Sequence, residues 1–182
     1  MKLNKPFLFK LFVALIGAVA LLLSSGCTSP AQSANMTPTA LGAPVQAKAE
    51  SVHVRVGEDS GEAGMAQISD QAFKEAIVQA ISQTGLFADI AEEDSADLVL
   101  YASIMNTDQP AFGFSMTVNL EVYWKLMRKS DNSMIWQDTI TSSYTAGATD
   151  AFSGAKRVRF ATEGAARKNI EEALTRINAL EY

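Results

Sequence analysis

The sequence has one cysteine and one histidine among its 182 residues, five prolines, and fewer basic than acidic side chains, 15 against 20. A single cysteine excludes a disulfide within the chain. A zinc site built from His and Cys takes three or four ligands, and only two such residues exist here. The shortage of positive charge, a net of -5, argues against nucleic acid as the main partner, which a basic footprint would mark. An apolar run long enough to span a bilayer is missing as well. The stretch Leu11–Leu23 has 13 residues, where a spanning helix takes about 20.

What stands at the N-terminus has the layout of a secretory signal: Lys2, Lys5 and Lys10, then the apolar run, then Ser24-Ser25-Gly26-Cys27. Ser25-Gly26-Cys27 directly after leucines resembles the lipobox of bacterial lipoproteins, with Ser24 standing where a branched aliphatic is usual. The resemblance implies that residues 1–26 are a signal peptide, that Cys27 becomes the first mature residue, and that it carries several acyl chains such as palmitate. Two chains suffice for stable anchoring, at about 0.8 kcal/mol per buried methylene. Thr28 follows, rather than the Asp that in Gram-negative lipoproteins commonly marks inner-membrane retention. The expected place is therefore the outer membrane, facing the periplasm, with a Gram-positive cell surface as the alternative. Loss of residues 1–26 removes three lysines and no acid, leaving 12 basic against 20 acidic side chains, a net of -8.

Residues 28–50 contain no aromatic, no apolar periodicity and three prolines. Such a stretch buries too little surface to offset the entropy of ordering it, so residues 27–50 are expected to form a lipidated N-terminus and disordered tether.

Residues 51–182 read as a single α+β domain. Val52, Val54 and Val56 alternate with His53 and Arg55 as in a half-buried strand. An acidic, glycine-rich loop follows, Gly57–Gly64. Phe73, Ala76, Ile77, Ala80 and Ile81 then mark one helix face, with Ser69 or Asp70 as the N-cap and Gly85 as the stop. Three strands come next: Leu98–Met105, Met116–Leu126, and a return strand from about Met134 to Tyr144 whose facing the adjacent Ile135 and Trp136 leave open. Ala166, Ile170, Ala173, Leu174, Ile177 and Leu180 stripe a last helix. Extended backwards, that stripe puts Arg159 in the core, so a kink near Gly164 or a start after Ala155 is expected. The sum is a two-layer sandwich: a four-stranded, mostly antiparallel sheet with two helices on one face.

Catalytic signals are thin. A Ser-His-Asp triad would have to use His53, for which a solvent-side strand residue is the plainer reading. Gly113-Phe114-Ser115 only brushes a nucleophile elbow, and Gly154-Ala155-Lys156 lacks the spacing of a phosphate loop. Glu92, Glu93, Asp94 and Asp97 lack EF-hand spacing and read as a solvated acidic turn. No cofactor or metal is expected.

Three surfaces stand out as binding candidates. The sheet face opposite the helices carries Tyr101, Met105, Thr117, Asn119, Tyr123 and Thr141, aromatic and methionine side chains among polar ones, as in an interface. Lys156, Arg157, Arg159, Arg167 and Lys168 form a basic cluster in an acidic protein, suited to lipid or lipopolysaccharide phosphates. Pairing with Glu163 and Glu171 is its plainer reading. Phe112-Gly113-Phe114 is an aromatic loop.

The element order is similar to that of small outer-membrane accessory lipoproteins such as the lipopolysaccharide-assembly lipoprotein and transport-auxiliary lipoproteins. That resemblance implies a non-catalytic binding or accessory role in envelope assembly or transport, with an envelope protein or lipid as partner. The alternatives are a carboxylate-dependent envelope hydrolase, using acids at Glu58-Asp59 and Glu92–Asp94, and a bulk structural lipoprotein.

Overall fold

The computed structural model describes residues 29–57, 68–110 and 113–182. The signal sequence, Cys27, the Glu58-Asp59 pair and Phe112 lie outside the described residues.

Strand β1 (Ser51–Val56) buries Val52 and Val54 and turns His53 and Arg55 the other way. Helix α2 (Asp70–Thr84), which follows a one-turn helix α1 (Ser33–Met36) earlier in the chain, buries all five of the spaced apolar residues, Phe73 to Ile81. Ser69 Oγ accepts from the Ala72 amide at 3.1 Å and starts the helix. Gly85, at φ 66°, ends it by donating its N–H to the Ile81 carbonyl. A side chain at this left-handed position would be strained, which is why glycine stands there.

The chain then adds a strand that carries no sequence signal, β2 (Asp89–Ile90), too short to show a period. Next come β3 (Leu98–Asp108), β4 (Met116–Arg128) and β5 (Met134–Ala146). The sheet has five strands in the order β2-β1-β3-β4-β5. It is mixed rather than mostly antiparallel: β1 runs parallel to both β2 and β3, and β3, β4 and β5 form an antiparallel meander. Every second residue of β4 from Met116 to Leu126 is buried under the helices. The register shifts between Leu126 and Met127 make Ile135 the extra residue, so Trp136 pairs with core-facing Leu126 and joins the helix side. That settles the facing of β5.

Helix α3 (Gly154–Asn178) is one unbroken helix that begins at Gly154, with neither the kink nor the late start expected from Arg159. The reason is that α3 is covered on two sides. Six consecutive residues, Ala161–Ala166, are buried, more than one helical stripe can account for. Arg159 avoids the core: it lies over the Phe160 ring at 5.3 Å, with Nε 3.6 Å from Glu163 Oε1. Gly164 serves close approach instead of a bend. A Cβ there would lie 2.4 Å from Tyr144 Cγ.

The second cover is the segment expected to be a free tether. Residues 29–50 form a strap across the helix layer, with α1 against both α2 and α3. Met36 is fully buried, which contributes about 1.5–3 kcal/mol. Thr37 Oγ1 donates to Gln79 Oε1 on α2 at 3.0 Å. The Gln46 amide donates to Asn178 Oδ1 at 2.7 Å, and Lys48 Nζ donates to the Asn178 carbonyl at 3.2 Å. Composition predicts disorder here because the segment buries too little by itself; it is ordered by what it meets on the rest of the chain. Its partners are the core, which Ala31 and Met36 join, and polar groups on the two helices, Gln79, Glu163 and Asn178.

Candidate functional site

The face of the sheet turned away from the helices carries the six residues selected from the sequence. Pairing sets Arg55, Tyr101 and Lys125 side by side across β1, β3 and β4. The Tyr101 ring therefore meets a cation from each neighbour, Lys125 Nζ at 4.4 Å and the Arg55 guanidinium at 5.3 Å. Tyr123 donates its hydroxyl to Gln137 Oε1 at 2.8 Å, and Thr117 and Thr145 share a hydroxyl hydrogen bond of 2.8 Å. Asn119 Nδ2 reaches Asp108 Oδ2 at 3.5 Å, and Thr141 is exposed. Met105 falls at the register shift between Ile104 and Asn106, without a partner on β4, and is 62% exposed. The result is a hydroxyl-rich surface whose two tyrosines are held by their neighbours.

The basic cluster does not come together as one patch. Arg157 is spent on backbone carbonyls, giving Nη1 to Ala151 and Phe152 and Nη2 to Gly113, each at 3.0 Å. Arg159 is paired with Glu163. Arg167 Nη1 donates to the Asn35 carbonyl of the strap at 2.9 Å, and Lys168 Nζ donates to the Ser143 carbonyl at 3.1 Å. Both cations also flank the Tyr144 ring, at 5.8 and 5.4 Å. Lys156 is exposed on the first turn of α3.

The acidic turn is likewise engaged. Arg55 donates to Glu93, and this hydrogen bond, with the Coulomb pull of Arg55, His53 and Lys129, holds the Glu93 carboxyl below the ordinary glutamate range. Ser51 donates to Asp97 from its hydroxyl at 2.6 Å and its amide at 2.9 Å, which lowers that carboxyl too. General acids need the opposite shift. His53 is half-buried, and its Nδ1 donates to the Ala91 carbonyl at 3.0 Å, so the nitrogen a triad gives to its carboxylate is occupied. Among the described residues no cluster of three or more His, Cys, Asp or Glu could hold a metal ion.

The described residues form two open clefts of note. One, of about 360 Å³, lies at the Asp97 end of the sheet beside Glu50, Arg128 and Lys129. The other, of about 270 Å³, lies between the strap, β5 and α3 and exposes parts of Asn35, Tyr144, Phe160 and Arg167. In its wall Glu163, nearly fully buried, accepts from the Gln32 amide and from Asn35 Nδ2, both at 3.0 Å. The carboxylate is thus a latch for the strap.

Two residues escaped the sequence reading. Glu163 pairs with the basic cluster as its spacing predicts, but its second role, accepting from Gln32 and Asn35, depends on a segment whose composition predicts disorder. Phe152, 102% exposed, sits in the loop that also holds Asp150 and Ser153, an aromatic among small and polar residues just ahead of a helix.

No protein-family model and no curated protein matches the chain. Solved structures do resemble it. A Xanthomonas campestris protein of the DUF330 family superposes with a TM-score of 0.60 at 17% identity, covering 78% of this chain and 91% of that one. A hypothetical protein from Chlamydia trachomatis gives a TM-score of 0.53 at 14% identity, over 72% of this chain and 96% of that one. A minor lipoprotein from Acinetobacter baumannii gives 0.48 at 7% identity, over 71% and 92%. The first two likenesses show that the α+β fold described above occurs in proteins from these two bacteria.

Proposed function

We propose that the chain is a lipid-anchored lipoprotein of the bacterial envelope, held by acyl chains on Cys27 at the outer membrane and facing the periplasm. There it acts as a non-catalytic binding or accessory module in envelope assembly or transport. The observation that carries the reading is the sequence itself: basic start, 13-residue apolar run, and the sole cysteine directly after Ser25-Gly26. Among the described residues no helix is long and apolar enough to cross a membrane. The open sheet face supports the binding part, because Tyr101 and Tyr123 are held in place by Lys125, Arg55 and Gln137 before any partner arrives.

The test is a photocrosslinking residue placed at Tyr123 or Thr141 in intact cells. A specific adduct with an envelope protein or lipid supports the reading, and its mass separates a second copy of the chain from another partner. No adduct from either position, or turnover of an envelope substrate by the purified chain, would overturn it.

A further inference from the structure

The strap runs parallel to α3. Its successive partners climb in step: Gln32 with Glu163, Asn35 with Arg167, Gly42 with Thr175, Gln46 with Asn178 and Lys48 with Leu180. The chain therefore enters at the N-terminal end of α3 and leaves at its C-terminal end. Cys27 precedes Gln32 by five residues, a reach of at most about 18 Å. Glu163 is nine residues into α3 from Gly154, about 13 Å along its axis. An anchor on Cys27 thus lies within reach of the end of the domain where α3 begins.

That end presents two bare aromatic rings. Phe114, 90% exposed, precedes β4, and Phe152, 102% exposed, precedes α3. The two loops are tied together by one side chain, since Arg157 donates to the carbonyls of Phe152 and of Gly113, next to Phe114. Lys156 is exposed one residue before that clamp. Nothing within the described chain covers either ring, and paired exposed phenylalanines beside a lysine are the composition of a membrane-interface contact.

We propose that Phe114 and Phe152 form a membrane-seating edge. With the lipid of Cys27 in the bilayer, both rings enter the headgroup–acyl boundary and Lys156 sits at the phosphate level. The domain then rests on the membrane by this end, and the open sheet face stands upright from the lipid surface. Asp108 and Asp150 lie at the same end, accepting from Asn119 and from the Gly147 amide, and offset the charge of Lys156, so the proposed seating rests on the two rings and not on net attraction to anionic lipid. This inference rests on the lipid-anchor reading.

The experiment uses the full chain reconstituted in vesicles of phosphatidylethanolamine and phosphatidylglycerol with brominated acyl chains. Phe114→Trp and Phe152→Trp are compared with Met134→Trp, an exposed site at the opposite end of the sheet, each against the parent with its native Trp124 and Trp136. Rings seated about 5–10 Å into the boundary give roughly threefold stronger quenching at positions 114 and 152 than at position 134. Equal quenching at all three sites, no quenching at 114 and 152, or a protein adduct from a photocrosslinker at 152 overturns the proposal. Mass spectrometry of the same sample reads the lipid on Cys27 separately. An unmodified Cys27 defeats the anchor, while the quenching pattern still decides the seating edge.

Discussion

The indole Nε1 of Trp124 donates to Oδ1 of Asn169 at 2.8 Å, and both side chains are fully buried. Asn169 in turn donates from Nδ2 to the Ile140 carbonyl at 2.8 Å and to Ser142 Oγ at 3.1 Å, so one side chain fixes α3 to β4 and β5 together. Such a network is favourable only while every member is satisfied. Asn169→Ala is therefore expected to cost about 2–4 kcal/mol by stranding the indole N–H and opening a cavity. Urea unfolding measures it, and a loss below about 1 kcal/mol would show that the network carries little.

Gly164 and Tyr144 set a second case. Alanine is the better helix former by about 1 kcal/mol, yet Gly164→Ala should destabilise, because its methyl group would stand within the Tyr144 ring contact. The coupling is the test. In a Tyr144→Ala background the same substitution is expected to become neutral or stabilising. Equal effects in both backgrounds would mean that the close approach is not the cause.

Glu163→Ala removes the carboxylate that receives both the Gln32 amide and Asn35 Nδ2. Hydrogen exchange should accelerate across residues 31–37 while β4 keeps its protection, because the strap has its own small set of contacts. Unchanged exchange in the strap would assign its hold to Met36 and to the bonds at Thr37 and Asn35 instead.

Asp97 gives the pH dependence. Ser51 lowers its folded-state pKa below the ordinary 3.8, so the bond to the start of β1 contributes fully above 3.8 and is lost as pH falls through the folded value. The stability gap between the parent and Asp97→Asn should be present near neutrality and close in acid. A gap that stays constant through that range would contradict the assignment.

Strong periods in the chain carried most of the fold. Val52 and Val54, the Phe73–Ile81 face and the even residues of β4 each bury one face against one neighbouring layer, and a single period describes that. Where two layers meet one element, the period fails. Helix α3 has the sheet on one side and the strap on another, so Ala161–Ala166 are all buried and a single stripe misplaces Arg159. Strand β2 has two residues and thus no period at all. The strap was illegible because its hold comes from distant polar partners, Glu163 and Asn178. The open sheet face was readable from alternation in β3 and β4. Among the basic residues, Arg159 on Glu163 was legible as an i,i+4 pair, whereas Arg157 on the Gly113 carbonyl, Arg167 on Asn35 and Lys168 on Ser143 each depend on a segment far away in the chain.

The measurement that bears most directly on the account is the intact mass of the chain extracted from the membrane fraction. The account predicts a mature chain that begins at Cys27 and carries acyl chains on it, and a Cys27→Ser chain that lacks them and no longer stays with the membrane through them. A mature chain that begins elsewhere, or one whose Cys27 thiol is free, would contradict it.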